Sequence, residues 1–273
     1  MPSYVITGVS GFLGFEFLRQ ISEDQSNTVV GLVRDKVATD KKVSEQLGGR
    51  CNVHILQADM TDYDSVQKAV ADTAKISGGS VDYLIANAAY VPQWDLYDPI
   101  DVLANKPQEL EEEMLKSFKV NVVGNVHLFH LFMPLILKGQ VKKVVAISSG
   151  TADLEPMRQF DMTLSSAYVI SKAAMNAAVG KFSAQYRKEG VLFISICPGM
   201  VEPEASHYAN ATPEQLKALE EFLARFKQYA PHYTGPARRE DAVRDVIGVW
   251  EKASIENGDA GAFVSHLGNK QWL

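Results

Sequence analysis

The chain alternates between short apolar runs and longer stretches whose apolar residues recur with the period of a helix. The apolar runs are rich in β-branched residues and predict strands at residues 4–6, 28–33, 53–57, 81–86, 141–148, 192–197 and 262–265. The stretches between them predict helices at residues 12–22, 65–76, 110–137, 166–188 and 238–253. Because the strands are continuously apolar rather than alternating, we expect both faces of the sheet to be covered. The pattern therefore predicts an α/β fold, a doubly wound parallel sheet of about seven strands.

Two segments interrupt this alternation. Residues 90–108 contain three prolines and predict a long loop after the fourth strand. Residues 199–236 predict a flap with a helix of its own, because Thr212 can cap a helix and Gln215 completes a capping box. No linker rich in Pro, Gly and Ser divides the chain, so we expect one domain over residues 1–273.

The composition excludes several classes of protein. With 46% hydrophobic and 22% charged residues, the chain is typical of a globular protein. A net charge of −6 argues against a general nucleic-acid binder, which carries a basic surplus. Two cysteines and no apolar run of about 18 residues predict neither a disulfide framework nor a membrane span, so we expect a cytoplasmic protein. His127 and His130 have no carboxylate or cysteine to complete a ligand set, and we predict no metal site.

A glycine-rich turn of the form GxxGxxG follows the first strand directly, at Gly8, Gly11 and Gly14. Glycines at such a turn let the backbone approach a pyrophosphate, which then lies at the N-terminus of the next helix. The turn therefore favours dinucleotide binding, and a purely structural turn is the alternative.

A tyrosine and a lysine, Tyr168 and Lys172, lie four residues apart on a predicted helix and so share one face. A neighbouring ammonium lowers the pKa of a phenol, which makes the phenol a better acid-base group near neutral pH. An amphipathic helix that contains this spacing by chance is the alternative.

Two serines, Ser148 and Ser149, end the apolar fifth strand. Ligands of doubly wound folds bind at this carboxyl edge of the sheet, where a hydroxyl can hydrogen-bond a substrate carbonyl. A turn stabilised by a serine side chain is the structural alternative.

These motifs occur in a fixed order along the chain. The glycine turn is followed by Asp-Met-Thr-Asp at 59–62, Ala-Asn-Ala-Ala at 86–89, Asn121, Ser148-Ser149, Tyr168 with Lys172, and Pro198-Gly199. In this order, and over nearly all of its length, the chain resembles the short-chain dehydrogenase/reductase family.

The resemblance implies the catalytic residues. Tyr168 is the expected acid, and Lys172 is expected to lower its pKa and to hold the nicotinamide ribose. Ser149 is expected to orient the substrate carbonyl, with Ser148 as the alternative. Asn121 is expected to anchor a water that links the lysine to solvent.

The resemblance also implies a dinucleotide cleft. Its expected contacts are Gly8, Ser10, Gly11, Phe12, Leu13, Gly14, Asp59, Met60, Asn87, Ala88, Tyr168, Lys172, Pro198, Gly199 and Val201. At the end of the second strand, the guanidinium of Arg34 suits the 2′-phosphate of NADP. Asp35 would instead favour NAD, and an ion pair of Arg34 with Asp35 or Glu16 is the structural alternative. We predict NADP, with NAD less favoured.

Three features depart from the family pattern. Phe12 takes the place of the middle glycine in the family's usual TGxxxGxG turn. Tyr168 lies 19 positions after Ser149, more than is habitual, which predicts an extra loop at 153–164 over the site. The run 198–203 lacks the threonine with which the family often binds the carboxamide.

Together these observations predict NADPH-dependent reduction of a ketone or aldehyde to an alcohol. The expected pocket residues, Trp94, Phe160, Met200 and Phe222, indicate an apolar or aromatic substrate. The surroundings of Pro198 resemble the branch related to benzil and sepiapterin reductases. Two alternatives stay open: a regulatory protein that binds NADP without turnover, and an enzyme of the sugar-nucleotide epimerase or dehydratase type, which the GxxGxxG turn favours.

Two predicted helices also indicate self-association. Residues 114–137 are apolar on several faces, and residues 166–188 carry small side chains that permit close helix approach. In the resembled family these two helices usually pack across a two-fold axis, so we expect a homodimer or homotetramer. The alternative is a monomer in which the loop at 90–108 covers this face.

Overall fold

The core of the computed structural model, which describes residues 1–202 and 211–273, is a seven-stranded parallel sheet. Its strands are β1 (Ser3–Thr7), β2 (Thr28–Val33), β3 (Val53–Gln57), β4 (Tyr83–Ala86), β5 (Lys143–Ile147), β6 (Leu192–Cys197) and β7 (Phe263–Ser265). They lie in the order β3-β2-β1-β4-β5-β6-β7. Strands β1 to β3 are added towards one edge of the sheet and β4 to β7 towards the other, so the order in which strands are added reverses between β1 and β4. The predicted doubly wound sheet is confirmed.

Helices cover both faces of this sheet. They are α1 (Phe12–Ile21), α2 (Lys36–Leu47), α3 (Tyr63–Ile76), α4 (Ile100–Leu103), α5 (Pro107–Phe118), α6 (Gly124–Ile136), α7 (Leu154–Gln159), α8 (Ser166–Tyr186), α9 (Pro213–Tyr229) and α10 (Arg239–Lys252). On one face α3, α6 and α8 pack around Phe129. Its ring makes edge-to-face contacts with Phe182 and Phe193, with ring centres 5.3 and 5.5 Å apart. On the other face α1, α2 and α10 pack around Phe17 and Trp250. Among the described residues, no helix is long and apolar enough to cross a membrane.

Helix α2 has no counterpart in the sequence prediction. Its buried side chains are only Thr39, Val43 and Leu47, so its apolar pattern is too sparse to stand out. The signals that mark it are its ends. The carboxylate of Asp35 accepts the N–H of Ala38 at 3.0 Å, and Gly48 ends the helix in the left-handed conformation.

The predicted helical stretch at 110–137 is confirmed, but a π-helical turn at Lys119–Val123 interrupts its α-helical ladder between α5 and α6. Such a turn inserts one residue into the helical ladder and reorients the side chains on either side of it. The inserted turn contains Asn121 and makes it completely buried. A feature that apolar periodicity does not reveal therefore sets the position of this side chain.

The two predicted loops and the predicted flap are partly ordered into helices. The loop predicted at 90–108 contains α4 and the start of α5, and the loop predicted at 153–164 contains α7, which Asp153 caps at the N–H of Glu155. In the flap, the predicted capping box of Thr212 and Gln215 at the start of α9 is confirmed. Residues 203–210 of the predicted flap lie outside the described residues.

Candidate active site

A cleft of about 990 Å³ runs along the carboxyl edge of the sheet, across the reversal between β1 and β4. This is where doubly wound folds bind their ligands. All the predicted cofactor contacts line it: Gly8, Ser10, Gly11, Phe12, Leu13, Gly14, Arg34, Asp59, Met60, Asn87, Ala88, Tyr168, Lys172, Pro198, Gly199 and Val201. The lining also includes residues that the sequence does not single out, among them Thr7, Tyr90, Lys116 and Ile147.

The glycine-rich turn is closely packed against the loop after β4. Gly8 has φ of +74°, a backbone conformation that residues with a side chain disfavour. A methyl group at Gly14 would collide with the carbonyl oxygen of Gly8 and lie 2.6 Å from Nδ2 of Asn87. These glycines therefore allow the backbone to form a narrow concave cradle at the start of α1, a shape suited to a pyrophosphate.

Thr7 and Asn87 join the two loops that meet at the reversal. The hydroxyl of Thr7 accepts the N–H groups of Asn87 at 3.0 Å and of Ala88 at 2.9 Å. In return, Nδ2 of Asn87 donates to the carbonyl of Thr7 at 3.0 Å. The floor of the cleft is thus fixed by three hydrogen bonds between strands that are distant in sequence.

Tyr168 and Lys172 face the same end of the cleft from α8, as their spacing predicts. The ammonium of Lys172 lies 5.7 Å from the ring centre of Tyr168 and donates to the carbonyl of Ile147 at 2.7 Å. Lys172 is 2% exposed, and burial lowers its pKa to about 8. The ammonium is therefore largely charged at pH 7 and is held in one position by the end of β5.

The predicted lowering of the Tyr168 pKa is not found. Removal of the phenol from water raises its pKa above the ordinary value, and the nearby Cys197 acts in the same direction. Lys172 is engaged by the Ile147 carbonyl rather than by the phenolic oxygen. The structure therefore holds a protonated phenol, the form that a proton donor needs.

Cys197 lies beside this pair at the end of β6. Its sulfur accepts the N–H groups of Gly150 at 3.0 Å and Gly199 at 3.3 Å. Burial raises the pKa of the thiol to about 11, so the residue is a neutral thiol at pH 7. It connects the loop after β5 to the loop after β6.

The two serines after β5 point to different sides. Ser148 is buried, lines the cleft and donates to Oδ1 of Asn176 at 2.8 Å. Ser149 lies within hydrogen-bond distance of the Thr151 hydroxyl, 2.8 Å away, and lines a second, smaller pocket of about 130 Å³. Gly199 and Met200 line both cavities, so the two cavities meet there.

Asn121 does not line the cleft. Its side chain brackets the backbone of Tyr90, accepting its N–H at 2.7 Å and donating to its carbonyl at 2.8 Å, and it also donates to the hydroxyl of Ser171. These contacts fix the start of the loop after β4 against α8. The role of Asn121 in holding a water stays a prediction.

Arg34 lies exposed on the rim of the cleft, at the end of β2. The side chain of Asp35 caps α2, and the carboxylate of Glu16 is bound by Arg19 at 2.6 Å. The carboxylates of Asp35 and Glu16 are therefore bound elsewhere and do not form the alternative ion pair with Arg34. The carboxylate of Asp59, across the rim, accepts the N–H of Thr61, and this bond, together with Arg34, lowers its pKa.

The sequence model of the family described as short chain dehydrogenase matches residues 3–214 of the chain. The chain belongs to the short-chain dehydrogenase/reductase family. It is 59% identical over 273 residues to the short chain dehydrogenase virK of Hypocrea virens, and 56% identical over 274 residues to the short-chain dehydrogenase/reductase iacC of Pestalotiopsis fici. Both similarities cover 100% of each chain. The protein is therefore an oxidoreductase of a family that uses NAD(P) and acts on small molecules.

Solved structures of this short-chain dehydrogenase/reductase fold superpose along nearly the whole chain. The NADPH-bound carbonyl reductase from chicken fatty liver has a TM-score of 0.76 at 20% identity, with 98% of each chain covered. The carbonyl reductase Sniffer of D. melanogaster has a TM-score of 0.75 at the same identity and coverage. At this level of identity the likeness establishes the fold alone.

The packing at Gly14 leads to a prediction for this family member. The change Gly14→Ala should weaken the binding of NAD(P)H at least tenfold, because the added methyl displaces either the Gly8 carbonyl or the Asn87 amide from the cradle. Fluorescence titration of the bound nucleotide measures the effect. The matched control is Gly248→Ala, since Gly248 lies in α10 with no atom near the added methyl. Equal binding by the two variants would contradict the assignment of the cradle.

Proposed function

We propose that the protein is an NADPH-dependent carbonyl reductase, which reduces a ketone or aldehyde to the alcohol. The observation that carries this proposal is the position of Tyr168 and Lys172. They face the end of the long cleft near Gly199 and Met200, where it meets the small pocket containing Ser149. A proton donor, a cation and a hydroxyl are thus available where the cofactor cleft and a substrate pocket join.

The residues present fit a dinucleotide. Gly8 and Gly14 form the cradle for its pyrophosphate, Asp59 and Asn87 lie on the adenosine side, and Lys172 lies on the nicotinamide side. When bound, the nicotinamide supplies or accepts the hydride. No part of this reaction requires a protein nucleophile.

The protein's own contribution is to orient the carbonyl and to deliver a proton to its oxygen. The hydroxyl of Ser149 orients the oxygen, and the Tyr168 phenol, which is protonated at pH 7, donates to it. The Lys172 ammonium, fixed by the Ile147 carbonyl, stabilises the negative charge that develops on the phenolic oxygen. The neighbouring Cys197 is a neutral thiol at pH 7, so it adds no negative charge beside the phenol.

The pocket beyond Ser149 favours an uncharged, apolar carbonyl compound. Ser149, Thr151 and Cys197 line part of it, and no charged side chain of the described residues lines it. The remaining side chains of the lining are those of Pro156, Met162, Met200, Phe226, Tyr229, Trp272 and Leu273. Of the pocket residues predicted from the sequence, Met200 lines it. Phe160 and Phe222 lie behind the wall, packed on Tyr229 and Phe226, and Trp94 does not contribute to the lining.

Part of this pocket wall comes from Tyr229 and Trp272, which the sequence pattern does not indicate. The hydroxyl of Tyr229, at the end of α9, donates to the carbonyl of Lys270 at 3.1 Å and accepts the N–H of Trp272 at 2.9 Å. Trp272 is buried and stacks on Phe263 of β7 at 4.4 Å. The flap helix and residues 270–273 thus form one surface against which an aromatic or apolar substituent of the substrate packs.

The function is tested by following NADPH oxidation with a panel of diketones, aryl ketones, quinones and pterins. We expect turnover of uncharged aryl ketones, and at least a tenfold loss of kcat in Tyr168→Phe with NADPH affinity retained, because the variant loses only the phenolic hydroxyl. Tyr63→Phe is the matched control, since Tyr63 does not line the cleft. NADPH binding by the wild-type protein without turnover of any carbonyl would instead support a regulatory protein.

The choice of NADP over NAD is proposed from the charges on the rim of the cleft. Arg34 and Lys116 both line it, and Arg34 lies close enough to disfavour the charge of Lys116, whose ammonium donates to the Tyr90 hydroxyl at 3.0 Å. Asp35, which would favour the ribose hydroxyls of NAD, is used to cap α2. A 2′-phosphate would relieve the repulsion between the two cations.

Arg34→Ala should raise the KM for NADPH at least tenfold and leave the KM for NADH within about twofold. A charge-assisted bond to phosphate is worth about 1.5–3 kcal/mol, and NADH has no such phosphate. Steady-state kinetics with both cofactors measure the change. Lys41→Ala is the control, because Lys41 is an exposed cation of α2 paired with Glu45. An equal rise for both cofactors would show that Arg34 does not recognise the 2′-phosphate.

A homodimer is proposed from an exposed apolar face of α5 and α8. Leu115 is 62% exposed, Phe118 42% and Ile170 39%. The loop at 90–108 leaves these side chains uncovered, contrary to the arrangement expected of a monomer. Large apolar side chains grouped in this way favour contact with a second copy, with the same face used by both.

Light scattering at micromolar concentration should give about twice the 30.1 kDa mass of one chain. Phe118→Glu should shift the mass toward one chain, because it places a charge in the apolar contact. Val37→Glu, at an exposed apolar residue of α2 away from this face, should leave the assembly unchanged. A mass near 30.1 kDa for the wild-type protein would exclude the dimer.

A further inference from the structure

The helix that carries Tyr168 and Lys172 begins without a cap from its own neighbours. Ser165, the residue before α8, has φ of +59°, and its side chain makes no capping hydrogen bond. The N–H groups in the first turn of a helix have no partner within the helix and need an acceptor from elsewhere. Tyr168 lies in this first turn.

Asp95, in the loop after β4, supplies that acceptor from 72 positions away. Its Oδ2 accepts the N–H of Ala167 at 2.6 Å, and the neighbouring N–H of Tyr168 also favours the charged carboxylate. Its backbone carbonyl accepts the N–H of Ser165 at 3.1 Å. Asp95 thus binds the backbone N–H groups of Ser165 and Ala167, directly before Tyr168.

This carboxylate is retained at a cost. Asp95 is 0% exposed, and its Oδ1 is buried without a hydrogen-bond partner among the described residues. Burial, together with the charge of Glu113, raises its pKa, while the N–H groups of Ala167 and Tyr168 oppose that rise. A buried carboxylate with an unpaired oxygen is unfavourable for stability. We therefore expect the hydrogen bond that Asp95 makes to α8 to have a function.

The loop that presents Asp95 is fixed at its other end by the site as well. Asn121 binds both backbone groups of Tyr90, five positions before Asp95, and its amide reaches Ser171 of α8. The loop after β4 is therefore attached to α8 on both sides of Tyr168, directly through Asp95 and indirectly through Asn121.

We propose that Asp95 is a positioning residue for Tyr168, holding the first turn of α8 so that the phenol faces the junction of the two cavities. This inference rests on the proposed role of Tyr168 as proton donor. Lys172 lies one turn further along and is held independently by the Ile147 carbonyl. Loss of the cap should therefore impair proton delivery more than cofactor binding.

The experiment compares Asp95→Ala and Asp95→Asn with Ser165→Ala as the matched control. For Asp95→Ala we expect kcat to fall at least tenfold with the Kd for NADPH within threefold, and faster hydrogen exchange of the Ala167 and Tyr168 amides. Asp95→Asn should recover kcat to within threefold of the wild type, because the amide oxygen accepts the same N–H groups. Ser165→Ala should match the wild type, since that side chain makes no capping bond.

Three outcomes would overturn the proposal. These are a kcat for Asp95→Ala within twofold of the wild type, no recovery in Asp95→Asn, and a parallel loss of kcat, NADPH affinity and folded protein that indicates general stability alone. If Asp95→Ala does not fold, Asp95→Asn and Asp95→Ser are compared instead. Both keep an acceptor oxygen, but the serine side chain is shorter by one atom. A lower kcat for Asp95→Ser than for Asp95→Asn, with unchanged NADPH affinity, supports the proposal. If the wild-type protein reduces no carbonyl, the proposed function fails, while unaltered exchange of the two amides in the Asp95 variants would show that the cap itself is not needed.

Discussion

The hydrogen bonds between Thr7 and Asn87 are the constraint on which the cofactor cleft depends. They connect the ends of β1 and β4, the two neighbouring parallel strands between which the strand order of the sheet reverses. A reversal of this kind leaves a crevice because the loops on either side diverge. Here the Thr7 hydroxyl and the Asn87 amide hold the two loops together at the bottom of that crevice. The close approach of Gly14 to the same amide then sets the width of the cradle.

The chemistry of the site follows from burial at one end of this cleft. Lys172 and Cys197 are buried and Tyr168 is partly buried in the wall of the cleft, which favours the neutral form of each. The effect has different consequences for each group: the phenol and the thiol stay protonated at pH 7, while the ammonium, with its pKa lowered to about 8, remains largely charged. A charged group beside a neutral acid, in surroundings of low polarity, is an arrangement that stabilises charge as it develops on the acid.

The small pocket that we propose for the substrate is assembled from segments that are far apart in the sequence. The loop after β5 contributes Ser149, α7 and the turn after it contribute Pro156 and Met162, and the flap helix contributes Tyr229. The segment 270–273 completes the wall because the Tyr229 hydroxyl binds two of its backbone groups. The pocket therefore depends on side chains that close long-range contacts rather than on a single loop.

The sequence by itself determined the parallel sheet, the glycine turn and the helical pair of Tyr168 and Lys172, because each depends on local periodicity or on spacing within one element. It also indicated which loops line the cleft, since parallel strands place their carboxyl ends at one edge. Only the tertiary structure decided that Asp95 caps α8, that Ser148 and Ser149 face different cavities, and that Trp272 lies in the pocket wall. Hydrogen bonds between residues tens of positions apart, and the direction a side chain takes after a strand ends, leave no periodic trace along the chain. The polar helix α2 and the π-helical turn around Asn121 escaped prediction for the same reason, because end caps and neighbouring packing rather than apolar spacing define them.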